Sequence, residues 1–383
     1  MTDPRHAVPV RHELKQTKRL VVKVGSAILT SPDREVNGRV LLGVVTQLAA
    51  QREAGRQVLL VSSGAVALGL RSMGLTERPT DLATAQAAAA CGQVRLMHHY
   101  AEAFATCGIP VAQVLLTHAD LADRRRYLNA RRAVCALLDH GVTPIFNEND
   151  TVACDEIKVG DNDTLAAEVV GLADAGGLIL LTDRDGFFDK DPRENPDAVR
   201  VPFVPAITPE VRRAASGTTG LGTGGMSTKV RAAEVASDHG AWTVIAPGRR
   251  PNVVTEVMDG HDVGTLFSGP PGGEARAPAR KLWIARTLRP RGAVVVDAGA
   301  ARALREGGSS LLPRGIRAVE GTFESGDAVE IRALDGTVVG RGLPSYDSGE
   351  VARIAGKKSA EILSVLGYKY SDEVIHRDDM VLG

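Results

Sequence analysis

Two clusters of carboxylates and amides stand close together in residues 142–164: Asn147, Glu148, Asn149 and Asp150, then Asp161, Asn162 and Asp163. Side chains of these types offer acceptors to an ammonium group and donors to a carboxylate, which is what recognition of a free amino acid requires. A turn followed by a helix cap draws on the same residues, and on this stretch alone both readings stay open. The first cluster directly follows the apolar run 142–146, so it sits where a buried strand ends, the edge at which open α/β sheets bind ligands. The second precedes a helical run from Leu165, and one of its members is expected to N-cap that helix.

Cationic and glycine-rich chemistry lies elsewhere in the chain. Lys23 interrupts the apolar strand 19–24 just before a Gly25-Ser26 turn. It either snorkels to the surface or stands at the strand edge as a phosphate ligand. A second strand, 57–62, also ends in a small polar turn, Ser62 to Ala65, which lets a ligand approach the backbone closely or makes an ordinary strand-to-helix turn. Residues 216–229 hold a run of glycines and then Met226, Ser227, Thr228 and Lys229, ahead of a helical pattern over 230–238. Glycine-rich backbone entering a helix N-terminus presents N–H groups to anions. The spacing is not that of a P-loop, and a flexible linker is the alternative.

The elements that must position these groups alternate. Strands are expected at 19–24, 57–62, 111–116, 142–146, 177–181 and 241–246, with helical patterns at 40–52, 82–107, 124–139, 165–173 and 230–238. Such alternation implies an α/β fold with a mostly parallel sheet sandwiched by helices. The strand 177–181 is the most apolar and reads as central; it runs into Thr182 and Asp183. A Pro/Gly-rich stretch, 270–278, marks a boundary, after which short strands and an Asp335-Gly336 hairpin signal a small β-rich domain. The expected division is an N-terminal extension 1–18, a catalytic domain 19–275, a linker 276–290, a small domain 291–370 and a tail 371–383.

Composition narrows the classes. With 46 basic and 46 acidic residues the chain has no global field for nucleic acid or an anionic membrane, so any phosphate site must be local. No run approaches the roughly 18 apolar residues of a membrane span, and the polar N-terminus lacks a signal-peptide core; no membrane association and a cytoplasmic location are expected. The 4 cysteines form no Cys-x-x-Cys pair. Cys91, Cys107 and Cys135 are expected to behave as small buried hydrophobes, and Cys154 lies in the polar stretch. His98 and His99, adjacent on a helix, are expected to be structural or superficial rather than a metal pair.

Six motifs in order carry a resemblance: Val22-Lys-Val-Gly-Ser26, Ser62-Ser-Gly-Ala-Val66, Asn147-Glu-Asn-Asp150, Lys158-Val-Gly-Asp-Asn-Asp163, Thr182-Asp183 and Gly222-Thr-Gly-Gly-Met-Ser-Thr-Lys229. Together they resemble the amino-acid kinase family, and within it the members that phosphorylate glutamate; the trailing domain, with Gly308-Ser-Ser-Leu-Leu-Pro313, resembles a PUA domain. The resemblance spans nearly everything after residue 18. It implies ATP with Mg²⁺ on its phosphates, L-glutamate as acceptor, γ-glutamyl phosphate as product in the first step of proline synthesis, feedback inhibition by proline, and a homo-oligomer. It implies that Lys23 and Lys229 contact the phosphoryl group in flight while Asp163 holds them, and that Ser63, Asn147, Asp150 and Asn162 bind glutamate. ATP would meet Lys23, Thr182, Asp183, Thr223, Gly224, Gly225, Met226, Ser227, Thr228 and Lys229. Ala27, where relatives usually carry a second hydroxyl, and Phe187-Phe188 in place of Leu-Tyr depart from the pattern.

Chemistry agrees with that implication. A γ-carboxylate is already ionised at neutral pH, so the nucleophile needs no general base. Positioning and charge neutralisation then do most of the work. The nearest rivals are relatives acting on aspartate, acetylglutamate, carbamate or UMP. A different class is RNA binding or modification through the PUA-like domain, whose Arg302, Arg305, Arg314 and Arg317 could form a local basic face; the neutral charge and few aromatics speak against it.

Overall fold

The computed structural model describes residues 11–31, 33–77, 79–153, 162–216, 225–268 and 290–382. The chain divides into two compact units, Met1–Ala122 with Asn129–Gly272, and Asp123–Leu128 with Gly273–Gly383. The expected linker 276–290 falls, apart from Pro290, outside the described residues.

The first unit is built on eight strands: β1 (Arg19–Val24), β2 (Gln57–Ser62), β3 (Val111–Leu116), β4 (Thr143–Glu148), β5 (Gly177–Thr182), β6 (Phe203–Val204), β7 (Trp242–Pro247) and β8 (Thr265–Phe267). They lie in the order β3-β4-β2-β1-β5-β7-β8-β6, and every neighbouring pair is parallel except β7 with β8. β4 and β5 are buried along their whole length and β1 and β2 at all but the first residue, which explains why these segments read as continuous apolar runs rather than alternating ones. The mostly parallel α/β expectation therefore holds.

Helices α1 (Ser26–Leu29), α2 (Gly38–Glu53), α3 (Ala65–Ser72), α4 (Leu82–Ala105), α5 (His118–Ala122), α6 (Arg124–Asp139), α7 (Asn162–Ala173), α8 (Pro209–Ser216), α9 (Met226–Asp238) and α10 (Val253–Met258) connect these strands. α7 is apolar nearly all round and buried nearly all round, the expected fate of such a helix. α4 buries Ala85, Ala88, Ala89, Gly92, Gln93, Leu96 and Tyr100, a three-to-four-residue stripe along one side. Against it lies α3 at near backbone contact. A Cβ on Gly69 would fall 1.6 Å from the Ala88 carbonyl oxygen, and one on Gly92 would fall 1.7 Å from that of Ala65. Only glycine at both positions allows this crossing.

Several local expectations need correction. Cys91 and Cys107 are exposed, on and just beyond α4, because they fall off its buried stripe; Cys135 is half-buried. Cys154 lies outside the described residues. His98, by contrast, is superficial as expected and pairs with Glu102 one turn along an exposed face. Residues 11–17 pack on the first unit: the Arg11 guanidinium, 2 % exposed, donates to the carbonyls of Pro202, His261, Val263 and Gly264, and Trp242 Nε1 donates to Thr17 Oγ1 at 2.9 Å.

The second unit holds a five-stranded mixed sheet, order β10-β9-β11-β12-β13, from β9 (Gly292–Val296), β10 (Ile316–Gly321), β11 (Val329–Ala333), β12 (Val338–Gly342) and β13 (Met380–Leu382). Helices α11 (Ala298–Gly307), α12 (Ser348–Ile354) and α13 (Ile362–Leu366) accompany it. The Asp335-Gly336 turn joins antiparallel β11 and β12 as its residue types require. Residues 380–382, expected in a tail, instead pair with β12 and close this sheet. Among the described residues no helix is long and apolar enough to cross a membrane.

The tight crossing of α3 and α4 generates a prediction. Gly92→Ala forces the helices apart and is expected to cost about 1–3 kcal/mol, as overpacking of a filled core does; thermal unfolding checks it, and an unchanged midpoint would contradict the close approach.

Candidate active site

The C-terminal ends of β1, β2, β4 and β5 surround one cavity of about 420 Å³. β1 is the strand at which the chain order turns back, with β2 on one side and β5 on the other. Open parallel sheets bind ligands at such a switch point, because connections leave in opposite directions and open a crevice.

Lys23, near the end of β1, is only 6 % exposed, so it does not snorkel. Its Nζ lies 2.6 Å from Oδ1 of Asp163, in the first turn of α7. Lys229, in the first turn of α9, places its Nζ 3.0 Å from the other oxygen, Oδ2. Asp163 is 1 % exposed. Burial by itself pushes its carboxyl up, but the two ammonium groups outweigh that and hold it down at about 2. Two cations thus share one anion, so this trio is net positive at the wall of a cavity that Glu148, Asp150 and Asp183 also line. Thr228 Oγ1 lies 2.9 Å from Asp163 Oδ2 and 2.8 Å from the Gly225 carbonyl, so its hydroxyl is engaged inside the protein.

A second group gathers on the β2 and β4 side. Asn147 and Glu148 are the last two residues of β4 rather than part of the loop beyond it, and both are buried. The Asn162 amide donates to Ser63 Oγ and to Asn147 Oδ1, each at 2.9 Å. Its own Oδ1 is buried and accepts no hydrogen bond among the described residues. A buried acceptor in that condition is costly, and an incoming donor relieves it. Gly64, at φ +112°, is the N-cap of α3 and carries no side chain to cap it, so N–H groups of that first turn are left for a ligand.

Lys23, Ser63, Asn147, Asp150, Asn162, Asp163, Thr182, Asp183 and Lys229 all line this cavity. Gly225 is the N-cap of α9, with no side-chain cap, and Met226, Ser227 and Thr228 begin that helix. Thr223 and Gly224, like Asp161, lie outside the described residues. Thr182 Oγ1 donates to Asp183 Oδ1 at 3.0 Å. Phe187 turns inward and meets Phe267 edge-on at 6.0 Å, so the departure at this position sits in the core. Arg34 also lines the cavity, and nothing in its sequence context singled it out. Gln93, hydrogen-bonded to Asn147, was missed as well. Its signal was present: an amide on the apolar stripe of an Ala-rich helix.

The surplus positive charge and the uncapped start of α9 fit the phosphates of a nucleotide. Among the described residues no three His, Cys, Asp or Glu side chains converge as metal ligands.

The coupling of Asp163 to its lysines sets a pH dependence. Its folded-state pKa of about 2 lies below the roughly 3.9 of an unfolded aspartate, so its contribution to stability is complete above that value and fades as pH falls toward the lower one. The difference in unfolding midpoint between wild type and Asp163→Asn is expected to be constant above pH about 5 and to shrink below about 4. Thermal unfolding across that range checks it; a gap that widens in acid would contradict the pairing.

Comparison with known proteins agrees with this geometry. Residues 18–246 match the amino acid kinase family and residues 292–366 match the PUA domain. A glutamate 5-kinase of Geobacter sulfurreducens is 50 % identical over 96 % of this chain and 98 % of its own length. One from Thermus thermophilus is 49 % identical over 95 % and 97 %, and one from Myxococcus xanthus 50 % over 97 % and 98 %. The chain belongs to the amino acid kinase family, in the branch of the glutamate 5-kinases with a C-terminal PUA domain.

Proposed function

We propose that the cavity transfers the γ-phosphoryl group of ATP to the γ-carboxylate of L-glutamate, the glutamate 5-kinase reaction that opens proline synthesis. The observation that carries this reading is the sharing of Asp163 by Lys23 and Lys229 inside one cavity. The triphosphate with its Mg²⁺ supplies the group to be moved and part of its charge neutralisation.

The residues divide the remaining work. Lys23 and Lys229 reach the cavity from different elements and stabilise charge that spreads over the phosphoryl oxygens as it migrates. Asp163 fixes both ammonium tips without cancelling their combined charge. Thr182, Asp183 and the start of α9, from Gly225 to Lys229, form the nucleotide side. On the other side Ser63, whose oxygen already accepts from Asn162, is left with its hydroxyl proton for a carboxylate, and the α3 N-terminus adds N–H donors. Asn162 Oδ1 and the Asp150 carboxylate suit the α-ammonium. The nucleophile arrives ionised, so the chain need only hold it in line and exclude water.

Hydroxylamine trapping of the acyl phosphate, with ATP, Mg²⁺ and glutamate, aspartate or acetylglutamate in parallel, tests the substrate. Only glutamate is expected to give product, and an equal signal from another acid would replace this reading. Lys23→Ala and Lys229→Ala are each expected to lower turnover at least about 100-fold, the usual cost of lost transition-state charge stabilisation; near wild-type turnover in either would remove that lysine from the reaction. Proline, with the same α-carboxylate and a cationic nitrogen, is expected to compete at the glutamate end. Glutamate kinetics unchanged at saturating proline would exclude it.

A further inference from the structure

Gln93 stands on α4, outside the cavity lining, and is 8 % exposed. Its Oε1 accepts from Asn147 Nδ2 at 2.8 Å. Asn147 Oδ1 in turn accepts from the backbone N–H of Glu148 and from Asn162 Nδ2, both at 2.9 Å. A backbone N–H can only donate, so it dictates which end of the Asn147 amide faces it. The other end, Nδ2, must then meet an acceptor, and Gln93 supplies the one this structure shows. The same logic passes onward. Asn162 can satisfy Asn147 Oδ1 only with its NH₂ group, which leaves its own Oδ1 as the acceptor.

We propose that Gln93 is a positioning residue for the substrate amino acid: by accepting from Asn147 it completes the pairing that the Glu148 N–H begins and so holds two amides in one orientation, presenting Asn162 Oδ1 to an ammonium group and the Ser63 hydroxyl proton to a carboxylate. The proposal rests on the reading of this end of the cavity as the glutamate site. An amide can turn over by rotation about one bond, and the two ends differ only in the hydrogen bonds they make. Without the acceptor at residue 93, Asn147 Nδ2 is left buried and unpaired, a cost that works against the orientation favoured by the Glu148 N–H, and the chain of orientations from β4 to α7 loosens. Residue 93 follows Gly92, where α4 packs against α3, and its side chain reaches the end of β4. Gln93 and Asn147 lie on the β4 side of the cavity, so the effect is expected on glutamate rather than on the nucleotide.

Gln93→Met keeps the side-chain length and removes the acceptor, whereas Gln93→Glu keeps an acceptor at the same place. The first is expected to raise the KM for glutamate at least about tenfold, the effect of leaving a buried donor unpaired, with the KM for ATP within about twofold of wild type. The second is expected to recover most of the glutamate affinity. Should Gln93→Met not fold, Gln93→Ala, which asks less of the surrounding packing, is expected to show the same split between the two substrates. A KM for glutamate unchanged in any folded variant lacking the acceptor, or equal rises for both substrates, would overturn the proposal. Wild-type enzyme run alongside separates this from the larger reading: if wild type does not phosphorylate glutamate, the assignment of the cavity fails, whereas wild-type activity with an indifferent Gln93→Met removes only the role of Gln93.

Discussion

Two ammonium groups brought together in a nearly dry site repel each other, and a single carboxylate between them is what makes the arrangement stable. Asp163 takes one lysine on each oxygen. At such separations in a medium of low dielectric each attraction is large, and the desolvation of all three groups is large as well. The net effect on folding is therefore small compared with either term, but removing one member leaves an uncompensated charge. What survives the cancellation is directional: the trio carries one excess positive charge at a defined point. An anionic ligand with spreading charge is the partner that such a point favours.

The backbone places this trio with little strain. Lys23 comes from the middle of the sheet, while Asp163 and Lys229 come from the first turns of α7 and α9. First-turn residues lie near the free N–H groups of their helices, so both positions add to a field that suits anions. The order of strands around β1 opens the crevice in which the three meet. Paired lysines, helix ends and the fold's own gap coincide because each follows from the direction in which parallel strands run.

The β2 and β4 side of the cavity works by a different principle. Beside the Asp150 carboxylate, orientation matters there, since amides and a hydroxyl can either donate or accept and must be told which to do. The backbone N–H of Glu148 starts that chain of constraint, and a residue on the neighbouring helix continues it. Neutral groups held this way discriminate by what they leave unpaired when the wrong ligand enters, which is a sharper criterion than bulk polarity.

Much of this was legible in residues alone. The apolar runs of β1, β2 and β5 appear where they were expected, since a strand buried on both faces admits little else. Lys23 in such a run, the Asn/Asp clusters and the glycine-rich approach to Lys229 marked the chemistry, because each is expensive or unusual in its context. The sequence could not say that Asn147 and Glu148 belong to β4, that Cys91 and Cys107 face outward, or that residues 380–382 complete the second sheet. Those outcomes depend on which face of an element meets which neighbour. Nor could it pair Gln93 with Asn147, a contact between a helix and the end of β4. Residue types determine what a group can do, and that much travels with the chain; whether two groups 140 or more positions apart, such as Lys23 and Asp163, converge on one point is decided by packing, because only the folded sheet brings their separate strand and helix ends to the same edge.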